Sequence, residues 1–157
     1  WLLAVGALCV LAGWFYVGGA HPYGYRGWGE VAAFVFFGPV ATLGTTVTMA
    51  GTVDWPTACA SVVIGLVALA VLSVNNLRDI RSDAQAGKRT WAVRLGARAT
   101  TVCIIVVIAL VMLAVLAAGV YVTCFEVAHG EYMRAMWSLS LLALWFALAF
   151  TGFAMVL

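Results

Sequence analysis

The stretch NNLRDIRSDAQAGKRT, Asn75 to Thr90, holds two of the chain's six acidic residues and four of its eight basic ones. Asp79 and Asp83 are four residues apart. If the preceding helix runs on through them, they project from one face, one turn above the other, with Asn75 on the same stripe. Two carboxylates so placed repel each other unless a cation sits between them. Arg78 or Arg81 supplies one in the ordinary reading, a salt-bridged helix end. Mg²⁺ is the other choice, a hard ion that takes one or two carboxylates and completes its shell with water and phosphate oxygens. D-x-x-x-D by itself is a weak pattern, and its surroundings add to it. Gly87 is placed to end the helix in a left-handed turn, and Lys88 and Arg89 follow at once, bringing cations near the carboxylates without seating them on the same face. A diphosphate needs such a distribution, with metal bridging its oxygens on one side and Lys or Arg donating hydrogen bonds on the other.

The elements around this stretch are apolar. With 66% hydrophobic and 9% charged residues among 157, the chain falls outside the range of soluble domains, whose charged fraction is about a quarter. Five runs have membrane-spanning length: 1–20, 31–50, 57–74, 99–124 and 135–157. At about 1.5 Å per residue each can cross a hydrocarbon core of about 30 Å. The runs do not alternate in polarity, so helices are predicted rather than a barrel of strands. The fold class expected is all-α, a polytopic transmembrane bundle, with 75–98 as a polar loop between the third and fourth spans. Residues 1–20 lack the basic flank and cleavage site of a signal peptide. The chain opens on Trp1 inside that first run, which points to a piece of something longer.

Lys and Arg residues set the orientation. Arg78, Arg81, Lys88, Arg89, Arg94 and Arg98 share one side with Arg26 in the 21–30 linker, whereas Arg134 lies opposite, so the motif side is predicted to be cytoplasmic. Arg94 and Arg98 are assigned to snorkelling. Cys9, Cys59, Cys103 and Cys124 are scattered among the spans without metal-ligand spacing, as buried packing residues would be. His21 and His129 stand alone in loops. The tryptophans fall near span ends, as in an aromatic belt. Gly13, Gly18 and Gly19 form no clean G-x-x-x-G. No basic face is interleaved with stacking aromatics, so no nucleic-acid partner is expected.

NNLRDIRSDAQAGKRTWAVRLG, Asn75 to Gly96, resembles the second aspartate-rich motif of the UbiA superfamily of intramembrane aromatic prenyltransferases. YVGGAHPYGYRGWGEVAAFVFFGPVATLGT, Tyr16 to Thr45, is similar to the linker and following helix of its menaquinone-synthesis branch. The resemblance implies a nine-helix bundle with two aspartate-rich motifs facing each other across a cavity. Only the second motif is present here, and the five runs correspond to helices four to eight. The first-motif helices of a parent protein are therefore expected partners. It further implies transfer of a polyprenyl group from polyprenyl diphosphate to a dihydroxynaphthoate-type acceptor in the membrane lipid of a bacterial inner membrane. Hydroxybenzoate or homogentisate are alternative acceptors. On this resemblance Asp79 and Asp83 are catalytic metal ligands with Mg²⁺ as cofactor, and Asn75 contacts metal or phosphate. Asn76, Arg78, Lys88, Arg89, Tyr23 and Tyr25 are substrate contacts.

Three rival classes are weighed against this. A CDP-alcohol phosphotransferase requires D-G-x-x-A-R upstream and Gly at the position of Asn75. A transporter ordinarily carries ionisable groups at mid-bilayer, where insertion costs about 2.5–3.5 kcal/mol, and the runs contain none. A non-catalytic membrane fragment stays open, because the first motif is absent.

Overall fold

The structure, a computed structural model, describes residues 1–131 together with Met133, Arg134, Met136, Ser140, Leu141 and Leu144. Its regular elements are all helical. Helix α1 is Leu2–Val17, followed by a 3-10 turn at Tyr23–Arg26. Helix α2, Gly29–Val35, runs through a π-helical segment, Phe36–Val40, into α3, Ala41–Ala50. Helix α4 is Trp55–Arg78, α5 is Ile80–Gln85 and α6 is Trp91–Ala128. Two compact units, 1–108 and 109–157, divide the chain within α6, and the candidate site belongs to the first.

Local sequence explains the boundaries. The Gly18 N–H bonds to the Trp14 carbonyl and Gly19 takes φ +79°, so α1 stops at 16 residues, about 24 Å at 1.5 Å per residue. That is shorter than the 1–20 run predicted. Pro39 has no N–H to donate, and the helix widens into a π segment around it. Asp54 caps α4 by accepting the Thr57 N–H at 2.9 Å, with Pro56 in the first turn, where the absent donor costs nothing. Gly96, at φ 81° and ψ 165°, breaks the helical path between the short turn after Trp91 and the long apolar run that follows.

Gly29–Ala50, Trp55–Arg78 and Trp91–Ala128 are each long and apolar enough to cross a membrane, matching the second, third and fourth runs with longer ends. The fifth run, 135–157, lies outside the described residues apart from Met136, Ser140, Leu141 and Leu144. The polar loop expected at 75–98 is mostly helix, because α4 continues to Arg78 and α5 follows. Among the described residues only Ala70, Ala92, Ile104 and Val111 are buried apolar side chains, while large apolar side chains are exposed along every long helix. Such a surface would drive association in water and is matched by lipid tails in a bilayer. The chain is a polytopic helical membrane protein. Cys59, Cys103 and Cys124 are exposed, contrary to the buried packing role expected. A weakly polar thiol on a lipid-facing surface costs little.

The tightest helix contact joins the α2–π segment to α4 through glycines. A Cβ on Gly38 would lie 2.6 Å from the Ser61 carbonyl oxygen, and one on Gly65 would lie 2.7 Å from that of Phe34. Small residues let transmembrane backbones approach in this way. This contact aligns the linker before α2 with the end of α4, where the charged motif begins.

Candidate functional site

One aspartate of the motif sits at a helix break and the other four residues beyond it. The Asp79 N–H still bonds to Asn75 O at 3.0 Å and the Asp83 N–H to Asp79 O at 2.9 Å, but Asp79 itself leaves helical geometry, at φ −94° and ψ 11°. Its carboxylate takes both Nε and Nη2 of Arg78, at 3.0 and 3.2 Å. That hydrogen-bonded guanidinium holds the Asp79 carboxyl below the usual carboxylate range. Asp83 is buried, with 7% of its side chain exposed, and its Oδ1 accepts from Lys88 Nζ at 2.9 Å. The carboxylates expected to share one face and one cation therefore have separate surroundings and separate cations.

The turn at Gly87 explains why Lys88 lies on Asp83. Gly87 adopts φ +72°, its N–H bonds to Ala84 O, and the Lys88 N–H bonds to Asp83 O. This pair of bonds is a Schellman motif, which folds the residue after the glycine back over the third residue from the helix end. The left-handed glycine was foreseen; its consequence was not. Lys88 was expected near the carboxylates but off their face, and the turn instead delivers it to Asp83. The hydrogen bond it donates to Asp83 raises the Lys88 ammonium above its ordinary range. Its Nζ also lies 5.2 Å from the centre of the Tyr25 ring, within cation–π range.

Tyr25 belongs to the linker before α2, which is fastened along the motif. The Arg89 N–H bonds to Tyr25 O at 2.7 Å and Trp91 Nε1 to Gly27 O at 2.9 Å. Arg94 donates to Arg26 O, a structural role in place of the snorkelling expected. The shared end predicted for the two linkers is thus a direct contact. At its centre is Glu30, fully buried. Its Oε1 accepts Asn76 Nδ2 at 2.8 Å and the Trp91 backbone N–H at 3.2 Å. Its Oε2 has no hydrogen-bond partner among the described residues.

Asn75 faces a different neighbourhood. It lines a cleft of about 830 Å³ between α1, the α2–π segment and α4, walled by residues including Cys9, Gly13, Phe36, Phe37, Ala68 and Leu72. The wall is almost wholly apolar, and Tyr16, Tyr23 and Asn75 supply its polar side chains. The Tyr16 and Tyr23 rings meet edge to face at 5.4 Å between centroids, and the Tyr23 hydroxyl donates to Ala12 O. Such a cavity suits an apolar or aromatic ligand with one polar end. Of the predicted residues, the structure groups Tyr25, Asp83 and Lys88, places Asn75 and Tyr23 at the cleft, and leaves Asp79 and Arg78 paired at the exterior. Arg89 is exposed.

Asn75, Asp79 and Asp83 carry the hard oxygen donors that a divalent cation such as Mg²⁺ takes, but each has a different neighbourhood, Asn75 at the cleft, Asp79 on Arg78 and Asp83 on Lys88. Among the described residues no cluster of three or more His, Cys, Asp or Glu side chains could hold a metal alone. Two residues escaped sequence reading. Tyr16 was read only as the start of a similar stretch, and Glu30 as the edge of a linker. An acidic residue immediately before an apolar run was the available signal for Glu30.

The chain is 57% identical over 96 residues to the 1,4-dihydroxy-2-naphthoate octaprenyltransferase of Mycobacterium tuberculosis, a match covering 61% of this chain and 33% of that protein. Proteins of the same description from Mycobacterium leprae and Haemophilus influenzae are 54% and 45% identical over 96 and 93 residues. These matches cover 61% and 59% of this chain, and 33% and 30% of those proteins. The matches thus span about a third of the length of these curated relatives. No solved structure matches the chain. The family model for UbiA prenyltransferases matches residues 1–155, and the chain belongs to the UbiA prenyltransferase family.

Proposed function

We propose that this chain supplies one side of the active site of a prenyltransferase that joins a polyprenyl group to 1,4-dihydroxy-2-naphthoate. The allylic C–O bond of polyprenyl diphosphate breaks, and diphosphate leaves with the bonding electron pair. The electron-rich ring carbon that bears the carboxylate forms the new C–C bond and releases CO₂. The product is a prenylated naphthoquinol, the reduced form of demethylmenaquinone. The observation that carries this reading is the apolar cleft ending at Asn75, one helical turn before Asp79.

In this reading the cleft receives apolar substrate and keeps water from the electrophilic carbon. Tyr23 and Tyr25 lie at the polar end, Tyr23 on the cleft wall and Tyr25 against Lys88. Lys88 and Arg89 donate to the departing diphosphate, with Asn76 and Arg78 as outer contacts. Asp79, Asp83 and Asn75 would hold Mg²⁺, which when bound withdraws electrons from the diphosphate and eases its departure. Lys88 has a second part to play here. While its ammonium stays on Asp83, it offsets a buried carboxylate that would otherwise stand against an anionic substrate. The remaining ligands belong to helices of the longer protein.

The motif side faces the cytoplasm of a bacterial plasma membrane, because the Arg-rich linkers cluster there. The deciding experiment uses membranes containing the full-length protein and one polyprenyl diphosphate, with dihydroxynaphthoate, hydroxybenzoate or homogentisate supplied in turn. Prenylated naphthoquinol and CO₂ from the first acceptor alone support the proposal. Product from either other acceptor in its place overturns the assignment of substrate, and no product from any overturns the enzyme.

A further inference from the structure

We propose that Glu30 is a positioning residue. Through one carboxylate oxygen it fixes the side chain of Asn76 on α4 and the first N–H of α6, and so holds Lys88 against Asp83. The two contacts belong to segments on either side of the Asp83–Lys88 pair in sequence, Asn76 before it and Trp91 after it. Neither segment reaches the other directly by any hydrogen bond among the described residues. Glu30 is the point where they meet.

The chemistry of the site favours a carboxylate there. The first N–H groups of a helix have no partner within it. At α6 the Thr90 hydroxyl accepts the Val93 N–H at 3.4 Å, and Glu30 takes that of Trp91. Glu30 also lies in the first turn of its own helix, a position where an acidic side chain is favoured. This offsets part of the cost of enclosing it with Oε2 unpartnered. An apolar side chain of the same size would leave the Asn76 amide and the Trp91 N–H unsatisfied, and α6 would lose its anchor three residues beyond Lys88.

Lys88 can be read directly, since it is the only lysine of the chain. Its amine is acylated slowly while Asp83 and Tyr25 hold it. The inference rests on the reading of Asp83 and Lys88 as part of the diphosphate site, but this readout does not depend on catalysis. The full-length protein in membranes is treated with a small amine-acylating reagent, and the Lys88 peptide is followed by mass spectrometry. Loss of both hydrogen bonds in Glu30→Ala is expected to speed acylation about tenfold, and Asn76→Ala, which removes one arm, about threefold. Glu30→Gln keeps the accepting oxygen and is expected to recover a rate within about twofold of the wild type.

Where prenyl transfer is measured alongside, Glu30→Ala raises KM for the prenyl diphosphate and leaves that for the aromatic acceptor unchanged. Wild-type acylation in Glu30→Ala overturns the proposal. So does Glu30→Gln behaving like Glu30→Ala, since that result assigns the effect to negative charge rather than to hydrogen bonding. If Glu30→Ala fails to accumulate, Asn76→Ala and Glu30→Gln carry the test through the same outcomes. The predicted acylation pattern in a protein that prenylates nothing would support the positioning role and sink the enzymatic reading.

Discussion

The outer edge of the motif, Arg78 with Asp79, and its inner edge, Lys88 with Asp83, contain the same charge types at nearly the same separation, 3.0 and 2.9 Å. Their surroundings differ. Side-chain exposure is 72% and 45% at the outer pair, against 33% and 7% at the inner. Neighbours in sequence make the outer pair, which water and salt screen. A Schellman turn, a tyrosine ring and a buried glutamate junction make the inner one. An ion pair enclosed in this way is held by geometry around it, so its partners cannot leave without exposing a buried charge. The outer carboxylate can exchange its arginine at little cost, whereas the inner one is held in place by its surroundings.

The largest effect that follows is on turnover. In the full-length protein Asp83→Asn removes the inner charge while keeping the side chain's shape, and activity is expected to fall by about 100-fold or more with membrane accumulation unchanged. Near-normal turnover would reduce Asp83 to a structural ion pair. Next comes Lys88→Met, which keeps the length of the side chain but strips Asp83 of its donor. Leaving such a buried acceptor unsatisfied costs about 1–3 kcal/mol, visible as a lower midpoint in denaturation of the purified protein in detergent. An unchanged midpoint would mean that the inner pair is as loosely held as the outer. Smallest is Arg78→Gln, for which stability is expected to be unaltered and activity to change by less than about threefold.

The pairs also part company with pH. The hydrogen bond donated to Asp83 raises the Lys88 ammonium, so its contribution is complete below the ordinary lysine value and disappears only as pH climbs past the raised one. Asp79 is lowered by its bond from Arg78, so its contribution is present above the ordinary aspartate value and is lost as pH falls through the lowered one. Neither window reaches neutrality. Lys88 acylation, corrected for free-amine fraction, is therefore expected to stay flat between about pH 6 and 9. A step in that interval would show another titrating group opening the inner pair.

Much of the fold was legible because apolar length and turn glycines report directly on backbone. Three runs became helices long enough to span, and Gly87 took the left-handed conformation its position required. The motif's shape was less so. A spacing of four residues assumes an unbroken helix, and nothing in the letters around Asp79 marks the departure from helical geometry that places it outside. Lys88 was foreseen near the site but not on Asp83, because that contact needs the six-to-one bond of the turn rather than the glycine alone. Glu30 stayed hidden for another reason. Its partners are 46 and 61 residues away, and no local pattern announces a contact at that distance. The Gly38–Gly65 approach was equally silent, the two glycines lying in apolar runs on different helices.

Titration with Mg²⁺ tests the central claim most directly. Prenylated naphthoquinol formation is followed in membranes of the full-length wild type, Asp79→Asn and Asp83→Asn, across a Mg²⁺ range with the total diphosphate held constant. If these carboxylates recruit the metal, each variant should need about tenfold more Mg²⁺ for half-maximal rate, and Asp83→Asn should also plateau far lower, since its loss frees Lys88 from its aligned position. Both variants retaining the wild-type Mg²⁺ requirement would contradict the account.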